Sequence, residues 1–159
     1  MTRAMAIEID FARSDADVKH VESLFLEYLK FIEEALGESL CFQDTEREFK
    51  DLRAMYDDLF LAKLDGTPVA ACGLKRFSKT ECELKRLYCR PAGRGHKLGQ
   101  KLTERCIAEG RKQGYTRMLL DTNRDLVAAN AIYENLGFTD IEKYYENPLG
   151  CSRYMALDL

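Results

Sequence analysis

The sequence predicts a mixed α/β fold: a single central, mostly antiparallel sheet of about seven strands flanked by about four helices. Three observations predict it. The 159 residues are 46% hydrophobic and 32% charged, as in one soluble domain that buries a core without a disulfide or metal staple. Segments of apolar/polar alternation are interleaved with segments at helical spacing. Turn formers, Asp65-Gly66 foremost, fall between them. No repeat, linker or low-complexity tract divides the chain, so residues 1–159 read as one domain.

Residues 5–12 (MAIEIDFA) alternate as a half-buried strand does. Ser14 or Asp15 caps a helix whose apolar face runs Val18, Val21, Leu24, Phe25, Leu29, Ile32 and Leu36, with Gly37 as its stop. Thr45 and Glu48 form a capping box, so a second helix begins near 45. LFLAKL (59–64) and TPVAACGL (67–74) make a hairpin around Asp65-Gly66. A turn at Ser78-Lys79-Thr80 leads to the strand ECELKRLYC (81–89), which Pro91 helps to end. The loop GRGHKLG (93–99) precedes a helix with Leu98, Leu102 and Cys106 on one face, ending near Gly114. TRMLLDT (116–122) is a buried strand, and a helix over about 126–136 stops at Gly137. Two closing strands, 138–146 and 151–159, flank Asn147-Pro148-Leu149-Gly150.

Composition narrows the function. No apolar run approaches the length of a membrane span, and no signal peptide is evident, so a cytoplasmic location is expected. The six cysteines lack C-x-x-C spacing and the chain has two histidines, His20 and His96. No metal site is therefore expected. Cys72, Cys82 and Cys106 sit among apolar residues and read as free buried thiols. Net charge is -3, too mild for a nucleic-acid binder. Yet Lys85, Arg86, Arg90, Arg94, Lys97, Lys101 and Arg105 face only Glu104 between 85 and 105. One basic segment in an acidic protein points to a compact anion site. The acidic stretch 22–58 reads as a solvated helix face, or as an attractor of a cationic amine.

The loop at 93–99 is the most informative segment. A strand feeds Gly93, Gly95 and Gly99, and the loop opens a helix, whose first N–H groups and partial positive charge suit a phosphate. A Walker A loop needs Lys after its last glycine, where Gln100 stands. A dinucleotide fingerprint needs G-x-G-x-x-G, and the spacing here is one residue longer.

From Glu83 the chain reads ELKRLYCRPAGRGHKLGQKLTERCIAEGRKQGY, which resembles the acetyl-CoA-binding segment of the GNAT superfamily of N-acetyltransferases. Arg94-Gly95-His96-Lys97-Leu98-Gly99 matches the family's Arg/Gln-x-x-Gly-x-Gly/Ala, with Lys97 where glycine is usual. LDTNRDLVAANAIYENLGF (120–138) is similar to the next strand and helix, with Tyr133, Gly137 and Phe138 in the recurring Tyr-x-x-x-Gly-Phe. YYENPLGCSRYMALDL (144–159) and LGESLCFQD (36–44) resemble further blocks of one bacterial branch. The likeness thus runs through nearly the whole chain.

The resemblance implies transfer of an acetyl group from acetyl-CoA, as cosubstrate, to a small-molecule or peptide amine by direct attack in a ternary complex. A non-catalytic acetyl-CoA-binding regulator is the alternative. The implied partners include neither nucleic acid nor membrane, and a homodimer is left open. Cofactor binding falls to Leu87, Tyr88 and Cys89 on the strand, and to Arg94, Gly95, His96, Lys97, Leu98, Gly99 and Gln100. A lysine-type amine must lose its proton, which costs roughly 4.6 kcal/mol at pH 7. Glu83 matches the position of a catalytic glutamate in some members, acting directly or through water. Glu83, Lys85, Leu87 and Cys89 are expected to share one face, and a plain Glu83–Lys85 surface pair is the other reading. By the same resemblance a main-chain N–H of Leu87–Cys89, at Cys89, is expected to donate to the oxyanion, with a plain core strand as the other reading. Tyr133 matches the tyrosine that donates to the departing thiolate, or else simply packs at the helix end. Leu126 stands where the family often has asparagine, with Asn130 nearby. Tyr144 and Tyr145 either line the acceptor side or are plain strand residues.

Overall fold

The computed structural model describes residues 5–37, 48–145 and 152–159. Its strands are β1 (Ile7–Phe11), β2 (Asp58–Leu64), β3 (Thr67–Arg76), β4 (Glu81–Cys89), β5 (Arg117–Asn123), β6 (Thr139–Ile141) and β7 (Ser152–Asp158). They form one sheet in the order β1-β2-β3-β4-β5-β7-β6. All of its pairings are antiparallel except β4 with β5. The helices are α1 (Asp15–Leu36), α2 (Leu52–Met55), α3 (Leu98–Lys112) and α4 (Val127–Asn135). The expected mixed α/β fold with a mostly antiparallel seven-stranded sheet is what the chain forms. Among the described residues no helix is long and apolar enough to cross a membrane.

Local chemistry accounts for the elements. Ser14 Oγ accepts from Asp17 N–H at 3.1 Å, and Gly37 ends α1 at φ 66°. Asp65 (φ 47°) and Gly66 (φ 82°) both take the positive φ that a tight two-residue hairpin turn requires. Period-two alternation divides the core into two layers. Leu59 and Leu61 of β2 meet Val21, Leu24 and Phe25 of α1. Phe60 and Ala62 point the other way, toward Leu98, Leu102 and Cys106 of α3. Cys72, Cys82 and Cys106 are buried free thiols, as expected, while Cys41 and Cys151 lie outside the described residues.

One expectation lies outside the described residues and two change. Thr45 of the capping box is not among the described residues, while Glu48 pairs with Arg86. The strand expected over 138–146 stops at Ile141, because the chain then turns inward so that Tyr144 and Tyr145 reach carboxylates on β4 and β5. Glu83, Lys85, Leu87 and Cys89 do not share a face. Arg86 adopts φ 56° at a bulge, where Gly73 pairs with Lys85 and Ala71 with Tyr88. Two residues, Arg86 and Leu87, therefore oppose Cys72, and the alternation flips. Leu84 before the bulge and Leu87 and Cys89 after it all pack on the α3 layer. Tyr88 packs on the α1 layer, the side that Glu83 and Lys85 also take.

Gly73, on β3 beside this bulge, faces the Tyr56 ring so closely that an added Cβ would sit 2.6 Å from it.

Candidate active site

The site begins where two strands part. β4 and β5 pair only at Glu81–Arg117, Cys82–Met118 and Glu83–Leu119, although each runs on toward its C-terminal end. Past that point Leu87, Tyr88 and Cys89 border a cleft of about 490 Å³. Cys89 stands opposite Ala70, while the next N–H, that of Arg90, donates to Val69 O at 2.8 Å. Successive N–H groups of a strand point to opposite edges. The Cys89 N–H therefore points away from β3, into the gap, and so does that of Leu87.

Tyr28 and Phe31 of α1 form a second wall of the cleft, and Leu126 to Ala129 with Ile132 a third. The floor is the loop Gly93–Gly99. Gly93 is buried against Val69 and Cys89, with room for no side chain: a Cβ would come within 2.9 Å of Val69 Cβ. Gly95 takes φ 89° and faces open space, so a ligand can approach its backbone closely. Lys97, the residue before α3, has φ 56° and gives α3 no side-chain cap. The first N–H groups of the helix thus keep their donors for an outside anion. Arg94, Gly95, Lys97, Leu98 and Gly99 line the cleft. The expected contacts from His96 and Gln100 are not seen: neither lines the cleft, and the Gln100 side chain donates to Glu104 at 3.0 Å instead.

Lys97 explains itself through its φ. A left-handed residue with a side chain costs about 1–2 kcal/mol, which glycine avoids. Part of that gain is lost to the greater freedom of glycine in the unfolded chain. Lys97→Gly is therefore expected to stabilise the fold by about 0.5–1 kcal/mol. Loss of its charge is expected to weaken coenzyme A binding a few-fold at low salt and less at high salt. Thermal unfolding and calorimetric titration at two salt concentrations check both.

On the α1 side of the sheet, Glu83 is buried, its side chain 8% exposed. This is no surface pair. Lys85 Nζ lies 3.6 Å from Glu83 Oε2 and 3.5 Å from Asp121 Oδ1, bridging the two carboxylates. Tyr144 donates to Glu83 Oε2 at 2.9 Å, and Tyr145 donates to Asp121 Oδ2 at 2.7 Å. Tyr154 stacks edge-on against both rings. Burial holds both phenols well above their ordinary range, aided by the carboxylates they face, so each stays a donor.

Tyr133 lies on α4 beside Ile132, buried, with its ring edge-on to Phe138. Burial raises it too, and the phenol stays protonated. Cys89 borders the cleft, but burial pushes its thiol up as well, which disfavours the thiolate a nucleophile needs. Asn130 is no stand-in at position 126: it accepts from Thr122 Oγ1 and donates to Asn123 O, tying α4 to β5. Sequence reasoning missed Asp121, Tyr28 and the buried pair Glu48–Arg86. Asp121 had a usable signal, since the parallel register places it two residues beyond the partner of Glu83.

The residues present fit acetyl-CoA. A glycine-lined cradle with uncapped helix N–H groups and the basic side chains of Arg94 and Lys97 suits a diphosphate, and the apolar walls above it suit a pantetheine arm. Known proteins agree. Residues 21–138 match the model of the Acetyltransferase (GNAT) family. An uncharacterized N-acetyltransferase of Schizosaccharomyces pombe is 33% identical over 100% of this chain and 99% of its own. An acetyltransferase structure from Streptococcus agalactiae superposes with a TM-score of 0.78 at 22% identity, over 96% of this chain and 98% of its own. A Salmonella typhimurium structure described with its cofactor acetyl-CoA has a TM-score of 0.72 at 18% identity, over 96% and 94%. The parted strands, the glycine cradle and the match along most of the sequence lead to one assignment: this chain belongs to the GNAT acetyltransferase family.

Proposed function

We propose that the chain transfers an acetyl group from acetyl-CoA to a primary amine by direct attack in a ternary complex. One observation carries this reading. The parting of β4 and β5 opens the sheet between main-chain donors on the cleft side and a buried carboxylate on the α1 side. Acetyl-CoA, when bound, supplies an activated thioester. The chain's own groups do the rest. Arg94, Lys97 and the N–H groups of the loop and first turn of α3 hold the diphosphate. The Cys89 N–H donates to the oxyanion position. Glu83 takes the proton of the amine, directly or through water, with Lys85 and Tyr144 keeping it oriented. Tyr133, held protonated, is the donor to the leaving sulfur. Free thiols at Cys72, Cys82, Cys89 and Cys106 support a cytoplasmic setting, and the acceptor is a small-molecule or peptide amine.

The test is release of coenzyme A thiol across a panel of amines, beside acetyl-CoA affinity by calorimetry. Turnover on at least one amine is expected. Tight acetyl-CoA binding with no turnover on any would favour a binding regulator. Arg94→Ala is expected to weaken acetyl-CoA about tenfold, as loss of one charge-assisted contact does; unchanged affinity would move the diphosphate away from this loop.

A further inference from the structure

Resting on that reading of the cleft, we propose that Glu48 and Arg86 are a positioning pair for acetyl transfer, setting the main chain of Leu87–Cys89. The bulge at Arg86 decides which way those residues face. Arginine has no preference for φ 56°, so the conformation is held from outside the strand. Glu48 holds it. Arg86 Nε donates to Glu48 Oε1 and Oε2 at 3.2 and 2.9 Å, and Nη2 donates to Oε1 at 2.6 Å. The two side chains are 22% and 8% exposed. Glu48 is fixed in turn: the Tyr56 hydroxyl donates to its Oε2 at 2.9 Å. From α1, the Tyr28 ring lies 6.0 Å from the guanidinium, and the same ring lines the cleft. The pair thus joins α1, the segment at 48–56 and the strand whose next residues border the cleft.

A purely structural role makes a different prediction. Buried ion pairs are commonly replaced by apolar pairs of similar volume without loss of stability. Two methionines at 48 and 86 would fill the space but provide no planar fork to orient residue 86.

The double variant E48M/R86M separates the two roles. It is measured with acetyl-CoA and the best amine of the panel, together with thermal unfolding and amide hydrogen exchange over residues 86–89. The expected result is unfolding near the wild-type temperature and kcat lowered roughly 10–100-fold, as about 1 Å of misplacement costs. KM for acetyl-CoA should stay within about threefold, and exchange at Tyr88, whose N–H faces β3 between those of Leu87 and Cys89, should be faster. Wild-type kcat and wild-type exchange would overturn the proposal. Should the double variant fail to fold, Arg86→Lys carries the test, because it keeps the charge and loses the fork; wild-type kcat and exchange there overturn the proposal equally. If the wild-type protein transfers acetyl to no amine, exchange alone decides. Faster exchange in the variant upholds the pair while the transfer reading falls, and identical exchange sinks the pair.

Discussion

Glu83→Gln is expected to lower kcat by about 10²–10⁴-fold, the usual contribution of a positioned general base and equivalent to about 3–5 kcal/mol. Glutamine has nearly the same shape, and its carbonyl can still accept from the Tyr144 hydroxyl, which reaches Glu83 Oε2 at 2.9 Å. Lys85 keeps Asp121 as a partner at 3.5 Å. The change therefore removes a proton acceptor and little else. Affinity for acetyl-CoA should hardly move, because Glu83 is not among the residues that line the glycine-floored cleft. Steady-state kinetics with a saturating amine, together with calorimetry of acetyl-CoA, check the two halves. Undiminished turnover would assign the proton to a water chain ending elsewhere.

Glu48→Ala is expected to cost about 3–5 kcal/mol of stability, the penalty for removing one member of a buried ion pair. The loss is large because the Arg86 guanidinium, 22% exposed, cannot swing freely into water. Tyr56 also loses its acceptor. Against the usual margin of about 5–15 kcal/mol, that is severe, and a midpoint lower by roughly 10 °C follows. Urea denaturation measures it directly. A loss under about 1 kcal/mol would mean that the arginine finds solvent or another carboxylate. The contrast with the double methionine variant is the informative one, since the single change strands a charge and the double change does not.

The parts of this molecule that obey local rules were legible in its residues. The Asp65-Gly66 turn, the Ser14 cap and the Gly37 stop each depend on neighbours within a few positions, and each stands where expected. The cradle was legible too, because glycine spacing before a helix is a local pattern. The flip at Arg86 was not. Its cause is a carboxylate 38 residues earlier, and an arginine in an alternating strand carries no mark of a positive φ. The Glu83–Lys85–Asp121 cluster was half legible: the adjacent pair showed, but the third member enters through parallel strand pairing. Tyr144 and Tyr145 looked like strand residues because aromatic pairs favour sheets. Their hydroxyls found buried acceptors on β4 and β5 instead, and that drew the chain off the sheet edge.

Gly73 puts a limit on how this protein can vary. Its missing methyl is the space into which the Tyr56 ring fits, and that ring's hydroxyl steadies Glu48. Any side chain at 73 pushes the ring, and through it the carboxylate and the arginine behind it. A change on β3 that touches neither reactant would thus be transmitted to the acetyl-transfer geometry as a lever arm, so drift at that position is tolerated only when Tyr56 changes with it.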